Sequence, residues 1–329
     1  MDRTHEPFSV VPNTCYVPRM STIGEFHKGI PDIENPSAQW RALLHIVRQG
    51  FLEARPAVQI IVALRFITAM VMTAAAEPVT FIPAAQSGLG VVLVSFSIYL
   101  ANGIEDLVAD IANNSRRPLA SGRLSLPEAR AVMWTAAAAG MVVAWCAGPM
   151  SGVCASVMLL VGLRYSVGSR AWKNRPVTAA LTVGVLGACT YGAAAACGTG
   201  WPPRSLCLFG LAMSCWMALV GAFAKDFGDV AGDLLAGRRP ACGSRYFQRY
   251  RVALQALVLG CGYLAVTSAW RISELRWSAI TLLVAAASVA ISSISCPLEG
   301  SREQLRQPYR AFMVGQYGVH LALLATLLS

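Results

Sequence analysis

The sequence predicts an all-α, polytopic membrane protein with about nine transmembrane helices around a central cavity. The chain of 329 residues is 55% hydrophobic and only 13% charged. Its mean hydropathy of +0.52 lies far above that of an average soluble domain. The apolar residues form continuous runs of roughly 20 residues, the length that crosses a bilayer as an α-helix. Because these runs do not alternate with polar residues, a transmembrane barrel is disfavoured.

Three regions follow one another along the chain. Residues 1–36 contain several Pro and no clear periodicity, so we expect a mobile cytoplasmic tail. Residues 37–55 place Trp40, Phe51 and other apolar side chains near one helical face, which predicts an interfacial amphipathic helix or, alternatively, a helical lead-in to the first span. Residues 56–329 form one transmembrane domain. Its spans are expected at about 56–76, 84–104, 130–148, 150–167, 177–197, 206–225, 252–270, 277–296 and 311–328.

The distribution of basic residues predicts the orientation. The formal net charge is +10, which in a soluble protein would suggest a nucleic-acid partner. Here 23 of the 27 Lys and Arg residues fall in the N-terminal segment and in alternate loops, whereas the opposite loops hold only Arg204, Arg271 and Arg276. The positive-inside rule explains this asymmetry, so we expect an integral membrane protein with no nucleic-acid partner and with the basic loops cytoplasmic.

Two acidic clusters lie at the ends of the predicted second and sixth spans, on the cytoplasmic face. Their members are spaced i, i+4, i+8 and i, i+3, i+7, so each set shares one face of a helix. Carboxylates near lipid need cations, and two such clusters suit Mg²⁺ together with a diphosphate. The clusters are Asn102, Asp106 and Asp110, and Asp226, Asp229 and Asp233.

Three Arg-rich loops are predicted on the same face, at residues 114–125, 164–175 and 235–245. The planar fork of Arg binds phosphate oxygens well. An isoprenyl diphosphate would fit this arrangement, with its head at the cytoplasmic mouth and its tail inside the helix bundle. Mg²⁺ and the basic side chains would stabilise the charge that develops on the diphosphate as the allylic C–O bond ionises. Candidate partners for the carbocation, or else plain packing residues, are Phe96, Tyr99, Tyr191 and Trp216.

These motifs resemble those of the UbiA superfamily of intramembrane prenyltransferases. Residues 102–110 are similar to its N-x3-D-x3-D motif and residues 117–125 to its RPxxSGxxS continuation. Residues 225–233 are similar to its second Asp-rich motif, in the variant that begins Lys-Asp. Tyr165, Arg170 and Lys173 match its basic loop after the fourth span. The resemblance covers about residues 50–328.

The resemblance implies roles for the matched residues. Asp106, Asp110, Asp226 and Asp233 would act through Mg²⁺ on the diphosphate. Asn102 would bind the metal or orient the head group, and Asp229 would complete the second cluster. Arg117, Lys173 and Lys225 would contact phosphate, together with Tyr165 and Arg170 of the basic loop.

One position departs from the family pattern. Many members that prenylate 4-hydroxybenzoate have Asp directly after the first Asn, whereas this chain has Gly103 there. Glu105 precedes Asp106 but lies off the face that the motif residues share. The departure weakens an assignment to ubiquinone synthesis and leaves the metal–diphosphate machinery intact.

The predicted function is Mg²⁺-dependent transfer of a prenyl group from an isoprenyl diphosphate to an aromatic or other nucleophilic acceptor. The alternative is a class I terpene cyclase of the same superfamily, in which the chain's own alkene attacks the carbocation. A cation-coupled transporter is disfavoured, because transport acids usually lie near the bilayer midplane beside broken helices.

Overall fold

The computed structural model describes residues 36–113, 115–235 and 245–329, without the side chains of residues 36, 229–235 and 245. The predicted tail therefore lies outside the described residues, apart from the backbone of its last residue. The described backbone is helical and contains no strand. Its α-helices are α1 Pro36–Glu53, α2 Pro56–Ala76, α3 Phe81–Glu105, α4 Leu107–Ala112, α5 Leu126–Ala147, α6 Pro149–Ser166, α7 Pro176–Ala195, α8 Arg204–Trp216, α9 Ala222–Leu235, α10 Arg245–Ala269, α11 Arg276–Ser295, α12 Arg302–Leu305 and α13 Gln307–Leu328.

Eight helical segments of the described chain are long and apolar enough to cross a membrane. One of them runs through α8 into α9, which a π-helical turn at Met217–Gly221 joins. The prediction of an all-α polytopic membrane protein is thus confirmed. The predicted span at about 150–167 is not among these eight segments and corresponds to α6, which is 18 residues long and includes Arg164, Tyr165 and Ser166 in its last turn.

The connections show that α6 runs from one end of the bundle to the other. Helix α3 ends beside Asn102, and α5 starts again after the loop that follows the first acidic motif. Only Gly148 separates α5 from α6, so the two helices pack as antiparallel neighbours. Ser166, at the end of α6, donates a hydrogen bond to Asn102 Oδ1 over 3.2 Å. Helix α6 therefore returns the chain from the far end of α5 to the end that carries the motif.

Small residues allow the long helices to pack closely. A β-carbon on Gly90 of α3 would lie 2.8 Å from Ala144 Cβ of α5, and one on Gly140 of α5 would lie 3.0 Å from the Val94 backbone nitrogen. A β-carbon on Gly315 of α13 would meet Ala285 of α11 at 2.6 Å. Van der Waals packing of this kind associates helices in lipid, where the hydrophobic effect offers no help.

Helix α1 covers most of the segment predicted as an amphipathic helix. The chain divides into two compact units, Met1–His45 and Ile46–Ser329. Within the second unit, Val47, Phe51 and Leu52 on α1 are exposed apolar side chains. The interfacial position of this helix stays a prediction.

Candidate active site

A cavity of about 200 Å³ lies among the helices of the second unit. Its wall includes polar residues, many of them near helix ends, and apolar residues from helix interiors, such as Ile61, Met158 and Leu186. Seven of the residues that the sequence assigned to the metal–diphosphate site line it. They are Asn102, Asp106, Asp110, Tyr165, Lys173, Lys225 and Asp226.

The first acidic motif spans a break between two helices. The sequence spacing predicts one continuous helix, but α3 ends at Glu105 and α4 begins at Leu107, because Asp106 has φ −91° and ψ 1°. The shared face survives the break, since the amide of Asp106 still donates to Asn102 O at 3.0 Å and the amide of Asp110 to Asp106 O at 2.8 Å. Asn102 Nδ2 donates to Asp106 Oδ2 at 2.7 Å, which links two motif side chains directly.

Lys173 holds the other oxygen of Asp106. Its Nζ donates to Asp106 Oδ1 at 2.8 Å, and the two side chains are 8% and 14% exposed. The short 3-10 helix Trp172–Asn174 presents Lys173 to the cavity. Arg170, from the same loop, is exposed and does not line the described cavity.

Arg117 binds carboxylates rather than lining the cavity. Its Nη1 donates to Asp110 Oδ2 at 2.5 Å. Its Nη2 lies 2.6 Å from Glu53 Oε1 and donates to Glu53 O at 2.8 Å. Burial raises the pKa of the Glu53 carboxyl, opposed by the Arg117 guanidinium and by a hydrogen bond from the Leu119 amide. The sequence predicted a phosphate contact for Arg117 and did not single out Glu53.

The loop between α4 and α5 owes its shape to the residues that resemble RPxxSGxxS. The amides of Arg123 and Leu124 both donate to Pro118 O, and Gly122 has φ +72°, which favours glycine. Ser125 is the N-cap of α5 and forms a capping box with Glu128. These residues fix the loop so that Arg117 reaches Asp110.

The second acidic motif lies on α9, directly after the π-helical turn at Met217–Gly221. Such turns occur often at functional sites. Lys225 and Asp226 line the cavity, and α9 packs against α4, which brings the two motifs together. Asp229 and Asp233 belong to the helix, but their side chains lie outside the part of the chain that is described.

Three cations that the sequence motifs did not single out also line the cavity, namely Arg55, Arg65 and Arg302. Arg65 is 8% exposed and sits midway along α2. Its Nη2 donates to Gln316 Oε1 on α13, and its Nε has no hydrogen-bond partner among the described residues. A charged residue inside an apolar span is a functional signal by itself, and it is visible in the sequence.

Aromatic rings from α3 and α13 also reach the cavity. Tyr99, Tyr309 and Phe312 line it, and the Tyr309 and Phe312 rings stack with centroids 5.9 Å apart. Tyr191 and Trp216, two of the aromatic candidates from the sequence, are buried in the helix core and do not line the described cavity. Phe96 packs in a separate cluster with Leu100 and Met133.

The charges of the cavity suit a metal-bound anion. Among the described residues that line it, five are cationic and three are carboxylates. No three His, Cys, Asp or Glu groups in the described chain are close enough to form a metal cage. Mg²⁺ is usually held by one or two carboxylates plus substrate phosphates and water, so Asp106, Asp110 and Asp226 fit that ion better than a metal with an all-protein ligand set.

Comparisons with known proteins bear on the family and the fold of the chain. The model of the UbiA prenyltransferase family matches residues 63–315. None of the curated proteins matches the sequence. The fold is similar to that of a UbiA homologue from Archaeoglobus fulgidus bound to GPP and Mg²⁺, with a TM-score of 0.62 and 15% identity over 85% of this chain and 100% of that chain.

Two further solved structures share the fold. A digeranylgeranylglyceryl phosphate synthase has a TM-score of 0.59 and 17% identity over 86% of this chain and 98% of its own. An apo UbiA homologue from Aeropyrum pernix K1 has a TM-score of 0.57 and 15% identity over 81% and 96%. At identities this low, the structural similarity shows a common fold and no more.

Proposed function

The chain belongs to the UbiA prenyltransferase family, and on that premise we propose that it transfers a prenyl group from an isoprenyl diphosphate to an aromatic or other nucleophilic acceptor within the membrane. The observation that carries the proposal is one cavity lined both by residues of the two acidic motifs and by apolar side chains from helix interiors. A substrate with an anionic head and a long hydrocarbon tail suits such a lining, with its head at the motif residues and its tail against the apolar side chains. Solved relatives from Archaeoglobus fulgidus bound to GPP or DMAPP with Mg²⁺ support it.

The head group is proposed to lie among the polar residues of the cavity. Mg²⁺ held by Asp106, Asp110 and Asp226, with Asn102, Asp229 and Asp233 as further candidate ligands, would supply positive charge against the leaving diphosphate. Lys173 and Lys225 contact the remaining oxygens. Two partners of Asp106, Asn102 and Lys173, keep its carboxylate aimed at the head group.

The proposed reaction begins as the bond between the allylic carbon and the bridging oxygen breaks. The electron pair of that bond stays on the diphosphate. The acceptor then donates an electron pair to the allylic carbon, and an aromatic acceptor loses the proton from the substituted carbon to the departing diphosphate. Cationic side chains favour this course because they stabilise the diphosphate more as its charge grows.

Arg65 favours an intermolecular acceptor. A carbocation that moved along the cavity towards this buried guanidinium would be repelled, by about 4 kcal/mol at a separation of 4 Å and an effective dielectric constant of 20. An acceptor that carries a partial or full negative charge would instead be attracted. The cavity is thus better suited to capture of the cation near the head group than to a long cyclisation cascade.

The alternative, a terpene cyclase, draws its support from the aromatic rings. Tyr99, Tyr309 and Phe312 could present π-faces to a carbocation, and cation–π contacts of this kind contribute about 0.5–2 kcal/mol each. The same rings would serve a prenyltransferase during ionisation. The two functions differ in whether product forms without an acceptor.

The test uses the full chain purified into nanodiscs with Mg²⁺. Geranyl, farnesyl and geranylgeranyl diphosphate are supplied separately, first alone and then with a panel of phenols and aromatic acids, and products are identified by mass spectrometry. We expect acceptor-dependent prenylated products that EDTA abolishes. A cyclic hydrocarbon or alcohol formed without acceptor would instead establish the cyclase.

Variants of the acidic motifs decide whether the cavity is the active site. Asp106→Asn and Asp226→Asn should each lower diphosphate release by at least 100-fold, as removal of groups that stabilise transition-state charge does. Glu105→Gln is the matched control, because Glu105 is exposed beside the same motif. Wild-type rates in both Asn variants, with intact folding, would rule out the proposed site.

A further inference from the structure

Glu53 is a fully buried carboxylate whose position helix stability does not explain. It lies at the C-terminal end of α1, where the helix dipole disfavours negative charge, and its side chain is 0% exposed. Its Oε2 accepts a hydrogen bond from the Leu119 amide at 2.9 Å, and its Oε1 lies 2.6 Å from Arg117 Nη2. A buried charge pair of this kind is weak evidence for stability and calls for a functional reason.

Arg117 connects Glu53 to the first acidic motif. One arm of its guanidinium faces Glu53, and the other donates to Asp110 Oδ2 at 2.5 Å. The guanidinium is planar and rigid, so fixing one arm fixes the direction of the other. Glu53, through its carboxylate and its backbone carbonyl, thus contacts the same guanidinium that binds the Asp110 carboxylate, which lines the cavity.

Gly103 leaves the space that Glu53 occupies. A β-carbon on residue 103 would clash with Glu53 Oε1 and would lie 2.7 Å from Arg117 Nη2. While Glu53 is present neither side chain can simply move away, because Glu53 is anchored by the Leu119 amide and Arg117 by Asp110 and by both the carboxylate and the backbone carbonyl of Glu53. Glycine within a helix costs about 1 kcal/mol relative to alanine, so its presence in the last turns of α3 fits a need for that space.

We infer that Glu53 is a positioning residue of the active site, which orients Arg117 and through it Asp110, and that it supplies from α1 the carboxylate for which Gly103 makes room. The inference rests on the proposed function, because it assigns Glu53 to the diphosphate site. It also predicts that a carboxylate placed on residue 103 can replace Glu53 once residue 53 is truncated, because the guanidinium end of Arg117 can then shift to meet it.

The first experiment removes the charge and keeps the shape. Glu53→Gln can still accept from the Leu119 amide but loses the ionic contact to Arg117. We expect a fall in kcat of about 10–100-fold, the range for residues that orient a metal ligand, with a smaller change in KM for the isoprenyl diphosphate. Glu105→Gln should match the wild type. Equal kcat and KM for wild type and Glu53→Gln would overturn the inference.

The second experiment moves the carboxylate. Gly103→Asp alone should be nearly inactive, because it adds a clash and a second negative charge. The double variant Glu53→Ala/Gly103→Asp should recover most of the lost kcat, whereas Glu53→Ala/Gly103→Ala, which has the same β-carbon at residue 103 and the same truncation at residue 53 but no carboxylate, should not. Equal activity of the two double variants would show that Glu53 merely fills space, and would also overturn the inference.

A binding measurement separates this inference from the proposed function. The probe is inorganic pyrophosphate with MgCl₂, and the readout is the rise in unfolding temperature of each nanodisc-embedded variant. We expect a rise for wild type and Glu53→Ala/Gly103→Asp and a smaller one for Glu53→Gln. If wild type binds the probe but consumes no isoprenyl diphosphate, the proposed reaction fails while the variants still decide the role of Glu53. If wild type does not bind, both fail.

Discussion

At the scale of single residues, Lys173 is the basic side chain on which we expect activity to depend most. Lys173→Met removes a nearly buried charge that lies 2.8 Å from Asp106 Oδ1. Diphosphate release should fall by roughly 100–1,000-fold, as on loss of a single group that stabilises developing charge. The steady-state release rate in nanodiscs measures this. Arg175→Met, an exposed position in the same loop, should stay within about threefold of wild type.

Arg65 gives a second prediction, about the fate of the carbocation. Arg65→Met removes the repulsion inside the cavity, so acceptor-free reactions should yield more cyclised or rearranged hydrocarbon than wild type. Gas chromatography with mass spectrometry quantifies these products. Arg65→Lys keeps the charge and should behave like wild type. If the Met variant gives the same hydrocarbon yield as wild type, Arg65 does not shape the reaction course.

The motif residues of the cavity could be named from the sequence because their spacing is local. Asn102, Asp106 and Asp110 recur at intervals that one helical face explains, even though the helix breaks at Asp106. Glu53 could not be named, because its pairing with Arg117 joins residues 64 positions apart. Nothing near residue 53 distinguishes it from an ordinary acid at the end of an amphipathic helix.

At the scale of elements, the loop from Arg117 to Ser125 depends on one backbone conformation. Gly122 has φ +72°, and a β-carbon there would meet nothing within 4 Å. Gly122→Ala should therefore destabilise the protein by about 1–2 kcal/mol through backbone strain alone. Thermal unfolding in detergent measures the effect.

Gly262 is the matched control for that prediction. It lies inside α10, and a β-carbon there would also meet nothing within 4 Å. Gly262→Ala should be neutral or stabilising by up to about 1 kcal/mol, because alanine favours helix. A larger loss of stability from Gly262→Ala than from Gly122→Ala would contradict the backbone argument.

Two local irregularities of the helices were not predictable from periodicity. The break at Asp106 falls just after the apolar run of α3, and the π-helical turn at Met217–Gly221 falls within the apolar run of α8 and α9. At the second, the chain packs tightly, since a β-carbon on Gly221 would clash with the Phe312 ring from α13. Such contacts join distant parts of the chain, so only the folded arrangement reveals them.

At the scale of the whole molecule, the number of membrane crossings is testable. Helix α6 returns from the far end of α5 to Asn102, so we predict nine crossings with the two chain termini on opposite sides. Reporter fusions to each terminus, active on one side of the membrane only, measure this. The termini would lie on the same side if only the eight more apolar segments crossed.

The fold class was predictable because a bilayer allows few solutions. Long apolar runs must become helices, and the excess of basic residues in alternate loops gives an orientation, which stays a prediction. The depth of the cavity and the presence of Arg55, Arg65 and Arg302 in its lining were not predictable. They depend on which helix faces meet, as when Arg65 of α2 meets Gln316 of α13.

The contact between Arg65 and Gln316 has a consequence for biosynthesis. The two residues are 251 positions apart, so at 5–20 residues per second the ribosome needs roughly 10–50 s to make the partner after the arginine. During that interval the first span carries a charge whose final hydrogen bond does not yet exist. The nascent chain must shelter this arginine at the translocon or in transient water until the last helix arrives. A chain that stopped short of that helix would keep an intramembrane charge without this hydrogen bond, which is a feature that quality control could recognise.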